Sequence, residues 1–176
     1  MSKRLSYVLR HRPDSVGLSL GEHGWVAVDD LLHALSASGT RLTRDDLRRV
    51  VSTNDKQRFE LDPSGDRIRA RQGHSVEVDL ALEPAVPPDV LFHGTPERNL
   101  PSIRATGLDR RQRHHVHLSP DTETAQRVGS RRGAAAVLTI DAAAMSAAGA
   151  TFWCTGNDVW LTDHVGPEFI SVHLAG

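Results

Sequence analysis

A proline-rich segment at residues 83–89, Glu-Pro-Ala-Val-Pro-Pro-Asp, constrains the fold more than any other stretch of the chain. Its three prolines remove backbone donors and fix φ, so neither a helix nor an inner strand can run through it. We therefore predict a linker at 84–89 between a domain at 1–83 and a domain at 90–176. Each side of this linker is long enough to bury a small hydrophobic core.

The residues before the linker are patterned as helices followed by a β-hairpin. Apolar residues recur at helical spacing in three places: around Leu5 to Leu9 before Pro13, over 28–35, and after a capping-box pair at Thr43 and Asp46. Residues 58–61 and 67–70 then alternate polar and apolar around an Asp-Pro-Ser-Gly-Asp turn. This order predicts a winged-helix-like lobe.

The residues after the linker are patterned mainly as short strands. We predict strands at 90–93, 115–118, 136–140, 159–161 and 169–172. Short helices should lie between them, one of them with Ser119 as its cap and Pro120 in its first turn. The predicted fold class is α+β, with a winged-helix-like lobe followed by a strand-rich lobe.

The charge of the chain is unevenly distributed, although its net value is only −1. Residues 1–75 contain 13 Lys and Arg against 10 Asp and Glu, whereas residues 76–176 contain 8 against 12. Most of the basic residues are arginine, whose guanidinium can bind a phosphate through two hydrogen bonds. A phosphate-bearing partner is one interpretation, and a solvated basic surface is the other.

The stretch from Arg111 to Pro120 concentrates cationic and titratable side chains. In a strand, Arg113, His115 and His117 would share one face and His114 the other. A metal is disfavoured, because the Arg113 cation opposes a second cation and no Cys or carboxylate is close in sequence. The same face suits an anion, and a basic surface strand with one core histidine is the alternative.

Two further short motifs could contribute to a site. Arg10-His11-Arg12 closes the first helix, where cations also stabilise the helix dipole without any function. His93-Gly94-Thr95 ends an apolar run. His93 offers a side-chain donor, Gly94 lets a ligand approach the backbone closely, and Thr95 offers a hydroxyl. Neither motif indicates a function by itself.

Seven short strings, taken in order along the chain, resemble one known family. They are Leu9–Pro13, Gly24-Trp25, Asp55–Phe59, Ile68–Ser75, Leu91–Thr95, Arg113–Ser119 and Val159–Thr162. Their order is similar to that of the RNA 2′-phosphotransferases, the KptA family, and the resemblance covers nearly the whole chain. One departure is Asp158, which stands where relatives usually have the glycine of Asn-Gly-Val-Trp; Asp tolerates the left-handed region better than most residues.

The resemblance implies a winged-helix-like RNA-binding lobe and an ADP-ribosyltransferase-like lobe that binds NAD as co-substrate. It implies that the essential groups of the family fall on four residues, namely Arg10, His11, Arg58 and Arg113. The NAD contacts would come from a second set: His93, Gly94, Thr95, His117, Ser119, Asn157 and Val159. We expect the four essential residues to meet in a cleft between the lobes.

The reaction implied by the resemblance removes an internal 2′-phosphate from a tRNA-like RNA through an ADP-ribosylated phosphate. Transesterification then gives 2′-OH RNA, ADP-ribose 1″,2″-cyclic phosphate and nicotinamide. Arginines would reduce the repulsion between the two anionic substrates, and His11 would assist proton transfer in the second step. No metal is expected to take part.

Two other functions remain open at this point. One is an ADP-ribosyltransferase that modifies terminal phosphates or protein, and the other is a winged-helix nucleic-acid-binding protein with an inactive second lobe. The sequence contains no apolar run of the length that a membrane span needs, no secretory signal pattern, and a single cysteine, Cys154. These features predict a cytoplasmic protein.

Overall fold

The structure is a computed structural model, and it describes residues 1–54, 56–130 and 133–173. Asp55, the first residue of the Asp55–Phe59 string, and residues 174–176 of the predicted second domain lie outside this range. The chain divides into two compact units, Met1–Ala81 and Leu82–Gly176, each with its own buried core. Helices and strands are both well represented, which agrees with the predicted α+β class.

The predicted linker at 84–89 belongs to the second unit. The Ala85 N–H donates to the carbonyl of Phe152 at 2.8 Å, and Pro84 forms an isolated bridge with Trp153. The boundary between the units lies just before this segment, after Ala81.

The first unit combines three helices with a small antiparallel sheet. In chain order its elements are α1 (Ser2–Arg10), β1 (Val26–Ala27), α2 (Val28–Ala37), α3 (Arg44–Ser52), β2 (Phe59–Leu61) and β3 (Arg67–Ala70), with short 3-10 turns at Pro13–Val16 and Glu22–Gly24. The strand order is β1-β3-β2. Leu5, Val8 and Leu9 of α1 are fully buried, because their spacing puts them on one face of the helix.

Local signals fix the ends of several of these elements as predicted. The Thr43 hydroxyl accepts from the Asp46 N–H and the Asp46 carboxylate accepts from the Thr43 N–H, both at 3.1 Å, which confirms the capping box. The hairpin is also confirmed, and Asp62 holds its turn. Hydrogen bonds, first of all from the Arg67 N–H, lower the pKa of the Asp62 carboxyl to about 2.

In its described residues, the second unit consists mainly of strands, which form three antiparallel sheets. Its elements are β4 (Val90–Pro96), α4 (Leu100–Thr106), β5 (Leu108–Asp109), β6 (Val116–Leu118), α5 (Thr122–Gly129), β7 (Ala135–Asp141), α6 (Ala142–Ala147), β8 (Phe152–Cys154), β9 (Trp160–Thr162), β10 (His164–Val165) and β11 (Ile170–His173), with 3-10 turns at Glu97–Asn99 and Pro167–Phe169. The sheet orders are β11-β7-β4, β6-β9-β8 and β10-β5. All five predicted strands are present, with ends that differ by a few residues.

The predicted start of the helix after β6 is wrong. α5 begins at Thr122, and the Asp121 side chain caps it by accepting from the Thr124 N–H at 2.6 Å. Ser119 stays extended because its N–H and carbonyl both pair with Phe92, at 2.7 and 2.8 Å. A carboxylate two residues further on therefore takes the role that we predicted for the Ser119 hydroxyl.

Gly94 lies where α5 packs most closely on β4. A Cβ atom built on Gly94 would stand 1.7 Å from the carbonyl oxygen of Ala125, and one built on Gly129 would stand 2.9 Å from the Thr95 nitrogen. Both obstacles are backbone atoms, which cannot move aside without shifting the helix. The two glycines thus allow the close contact between α5 and the strand that carries His93 and Thr95.

We expect Gly94→Ala to lower the free energy of unfolding by about 3 kcal/mol, the upper part of the range for overpacked cores. Gly149→Ala is the control: Gly149 has φ +93° but open space around it, so backbone strain alone should cost about 1 kcal/mol. Urea unfolding of both variants measures the difference. Equal losses at the two positions would show that the contact with α5 does not limit position 94.

Candidate active site

Arg10 and Arg58 lie together in the first unit. The Arg10 guanidinium donates to the carbonyl oxygen of Arg58 at 3.4 Å, and the Arg71 N–H donates to the same oxygen at 3.0 Å. Arg10 is the last residue of α1 and Arg58 directly precedes β2, so the hairpin meets the end of the helix here. Two of the four predicted catalytic residues are thereby neighbours.

Asn54 holds the segment that leads to Arg58. Its side-chain oxygen accepts from the N–H groups of Lys56 at 3.2 Å and Arg58 at 3.4 Å, and its amide nitrogen donates to the Ser2 hydroxyl at 2.7 Å. Asn54 is only 8% exposed, so these bonds are shielded from water. The N–H of Arg58 is therefore held by Asn54, and its carbonyl is held by Arg10 and Arg71.

His11 follows Arg10 and contacts Ser75. The His11 Nδ1 lies 2.9 Å from the Ser75 hydroxyl, and the Ser75 N–H donates to the Arg10 carbonyl at 2.9 Å. Ser75 therefore satisfies one carbonyl at the end of α1 and orients the imidazole. Neither Ser75 nor Asn54 was predicted as a site residue, although Ser75 ends the Ile68–Ser75 string and Asn54 directly precedes the Asp55–Phe59 string.

A pocket of about 660 Å³ lies in the second unit, beside β4 and β6. Most of its lining side chains are polar or charged: His93, Thr95, Asn99, Ser102, Thr106, Asp109, Arg110, Arg111, Gln112, Arg113, His115 and His117. Three of the predicted NAD contacts and the fourth predicted catalytic residue thus share one cavity. Its size is in the range of pockets for small ligands and cofactors.

His93 is held in a neutral form suited to a hydroxyl group. Its Nδ1 donates to the His117 carbonyl at 2.9 Å, so Nε2 is the acceptor nitrogen of the ring. Burial lowers the pKa of His93, and the nearby Arg113 cation lowers it further, against the opposing effect of the His117 carbonyl. A neutral imidazole with an acceptor nitrogen can bind a sugar hydroxyl.

Arg113 lines the pocket together with two other arginines, Arg110 and Arg111. Its Nη1 lies 3.2 Å from Nδ1 of His117, and because guanidinium is only a donor, this nitrogen of His117 is the acceptor. Arg113 lies before the strand: its N–H donates to the Arg110 carbonyl in a turn, and β6 begins at Val116. Arg113, His115 and His117 nevertheless line the same pocket.

The remaining predicted cofactor residues lie outside the lining of this pocket. Within the described part of the chain, the lining residues do not include Gly94, Ser119, Asn157 or Val159. Asn157 and Val159 belong to a turn before β9, in which the Thr155 hydroxyl donates to the Asn157 side chain at 2.8 Å. Asp158 has φ +56°, in the left-handed region that Asp tolerates better than most residues.

Across residues 1–54, 56–130 and 133–173, no group of three or more His, Cys, Asp or Glu side chains is placed to hold a metal ion. In the same residues, no helix has both the length and the apolar character needed to cross a membrane.

Residues 1–164 match the family described as "RNA 2'-phosphotransferase, Tpt1 / KptA family". The chain is 54% identical to a protein of Nostoc punctiforme over 170 residues, covering 97% of this chain and 94% of the relative. It is 52% identical to a protein of Streptomyces griseus over 177 residues, covering 97% and 94%. A Burkholderia pseudomallei protein is 50% identical over 169 residues, covering 96% and 92%.

All three relatives carry the name "Probable RNA 2'-phosphotransferase". The family match spans more than nine tenths of the chain and includes every residue of the two clusters described above. A chain with this match and with these identities is a transferase that acts on the 2′-phosphate of RNA: it belongs to the Tpt1/KptA family of RNA 2′-phosphotransferases.

Proposed function

We propose that the enzyme removes an internal 2′-phosphate from a tRNA-like RNA with NAD as co-substrate, through an ADP-ribosylated intermediate. In the first step, an oxygen of the 2′-phosphate attacks the anomeric carbon of the nicotinamide ribose. The bond between that carbon and the nicotinamide nitrogen breaks, and nicotinamide leaves with the electron pair. The RNA then carries ADP-ribose on its 2′-phosphate.

In the second step, the 2″-hydroxyl of the attached ribose attacks the phosphorus. The bond between phosphorus and the RNA 2′-oxygen breaks, and the proton of the hydroxyl ends on that oxygen. The products are RNA with a 2′-hydroxyl and ADP-ribose 1″,2″-cyclic phosphate. We assign His11 to this proton transfer, because imidazole changes its charge near neutral pH.

The observation that supports NAD most strongly is the pairing of His93 and Arg113 in one pocket. The acceptor nitrogen of neutral His93 suits a ribose hydroxyl, and the Arg113 guanidinium suits a phosphate oxygen. Thr95 adds a hydroxyl whose oxygen accepts from the Asn99 amide at 3.1 Å, which leaves its own O–H to donate. NAD contains both ribose hydroxyls and a pyrophosphate.

The proximity of Arg10, His11 and Arg58 in the first unit supports a site for the RNA 2′-phosphate. The Arg10 guanidinium contacts the Arg58 carbonyl, His11 follows Arg10, and Ser75 and Asn54 hold His11 and Arg58. We propose that Arg10, His11 and Arg58 bind the 2′-phosphate and that Arg113 acts on the same reaction from the NAD side. We also propose that NAD is bound by further residues of the second unit, namely Gly94, His117, Ser119, Asn157 and Val159. The reaction is proposed to take place in the cytoplasm and to need no metal.

The test is the co-substrate dependence of 2′-phosphate removal. An oligonucleotide with one internal 2′-phosphate is incubated with the enzyme, with and without NAD, in buffer containing a chelator. We expect one nicotinamide released for each 2′-phosphate removed, and no removal without NAD. Removal without NAD would overturn the proposal. Nicotinamide release with ADP-ribose transferred to protein instead would support the alternative ADP-ribosyltransferase.

A further inference from the structure

A second cavity, of about 350 Å³, lies in the first unit next to Arg58. Its lining combines two cationic residues, Lys56 and Arg58, with the polar residues Ser2, Thr53 and Asn54 and the apolar Val50. Of these residues, only Arg58 is proposed above to contact the 2′-phosphate, and Asn54 holds the segment that leads to it. Lys56 belongs to the Asp55–Phe59 string, but the resemblance assigned no function to this lysine.

Asn54 holds the backbones of Lys56 and Arg58 together. One side-chain oxygen accepts from the N–H groups of both residues, so their backbones are fixed relative to each other. Asn54 also donates to the Ser2 hydroxyl, and since that oxygen accepts, the Ser2 O–H can donate to a ligand. The cavity is thus lined by two cationic side chains on a held backbone segment and by a hydroxyl donor, which is a set of groups that suits anions.

The substrate of the proposed function presents two anions next to each other. An internal 2′-phosphate always has a 3′-phosphodiester on the neighbouring ribose carbon, whereas a 2′-phosphate at a 3′ end has a hydroxyl there. A site that binds the internal form therefore meets two phosphate groups on adjacent carbons. Two cations that are two residues apart on one held segment can each contact one of them.

We infer that Lys56, together with Ser2, binds the 3′-phosphodiester next to the 2′-phosphate, and that this contact favours internal over terminal 2′-phosphates. The inference rests on the proposed function, because it takes Arg58 as a ligand of the 2′-phosphate. Lys56 is a specificity-determining residue in this account. It contacts a phosphate that does not react, so it acts on binding rather than on the chemical step.

The test compares two trinucleotides that differ only in the position of the 2′-phosphate. One carries it on the middle nucleotide, beside a phosphodiester, and the other on the last nucleotide, beside a 3′-hydroxyl. For Lys56→Ala we expect KM to rise about tenfold on the internal substrate, the size of one lost phosphate contact, with kcat unchanged. On the terminal substrate its KM should change less than about twofold.

Two control variants sharpen this comparison. Lys56→Arg keeps a cation and should retain most of the preference for the internal substrate. Lys3→Ala removes the other lysine of the chain, an exposed side chain of α1 outside the cavity lining, and should leave both KM values unchanged. The dependence of log KM on log salt for the internal substrate should also lose about one unit of slope in Lys56→Ala.

Equal effects of Lys56→Ala on the two substrates, or no effect on either, would overturn the inference. So would a fall in kcat at unchanged KM, because that result would place Lys56 in the chemical step. Failure of the proposed function is detected separately, by 2′-phosphate removal without consumption of NAD in the wild-type enzyme. The comparison of the two KM values does not depend on how the phosphate leaves.

Discussion

Replacing Arg58 or Arg113 by alanine is expected to lower kcat/KM for 2′-phosphate removal by about 10²–10³-fold, the loss typical of one preorganised charge donor. Each guanidinium is proposed to stabilise the negative charge of the phosphate groups that approach each other in the transition state. An interaction of this kind lowers kcat and kcat/KM together when it is removed. Steady-state kinetics with saturating NAD measures the effect.

The free energy of unfolding should change little in the same variants. Arg58 is held through its backbone, by Asn54 and by the Arg10 guanidinium, and these contacts do not need its side chain. Arg49→Ala in the first unit and Arg104→Ala in the second are matched controls, since both side chains are exposed helix residues without an assigned role. Near-normal turnover in Arg58→Ala and Arg113→Ala would refute the assignments.

A different kinetic defect is expected for His11→Ala. We assign His11 to the second step, so this variant should form ADP-ribosylated RNA and then convert it slowly, by about 10²-fold or more for loss of a general acid or base. The intermediate should therefore accumulate in His11→Ala and not in Arg113→Ala, in which the first step is slowed. Gel analysis of RNA labelled at its 5′ end separates substrate, intermediate and product.

Ser75→Ala serves as the companion to this variant, because it removes the hydroxyl next to the His11 Nδ1 but keeps the imidazole. It should show a smaller defect of the same kind. If His11→Ala gives no more intermediate than Arg113→Ala, His11 does not act in the second step.

Elements defined by local patterns could be predicted from the sequence. The buried face of α1, the Thr43 capping box and the hairpin between β2 and β3 each depend on residues within a few positions of one another. The left-handed backbone of Asp158 follows in the same way from the tolerance of Asp for this conformation. In each case the chain satisfies its own hydrogen bonds or buries its apolar face locally.

What could not be predicted depends on partners distant in sequence. Ser119 and Asp121 are both able to cap a helix, and the choice falls on Asp121 only because Phe92 pairs with both backbone groups of Ser119. Asn54 reaches Ser2 across 52 positions, and no pattern near either residue signals that contact.

From the sequence, Gly94 is interpreted as a residue whose backbone a ligand could approach closely. In the structure, the carbonyl of Ala125 in α5 approaches it instead, a contact that depends on residues distant in sequence. In the candidate site too, residues within short sequence motifs could be predicted, whereas residues that act through distant partners could not. The strings that resemble the family contain Arg10, His11 and Arg58, and six of the sixteen residues that line the pocket. They do not contain Asn54, which holds the segment that leads to Arg58.

The fate of the phosphate tests the central claim most directly. RNA is prepared with a radioactive phosphorus in its internal 2′-phosphate and is incubated with the enzyme and NAD, and the products are separated by chromatography. The account predicts that all of the label leaves the RNA as ADP-ribose 1″,2″-cyclic phosphate, with one nicotinamide formed for each labelled phosphate. Label released as inorganic phosphate while NAD stays intact would contradict it.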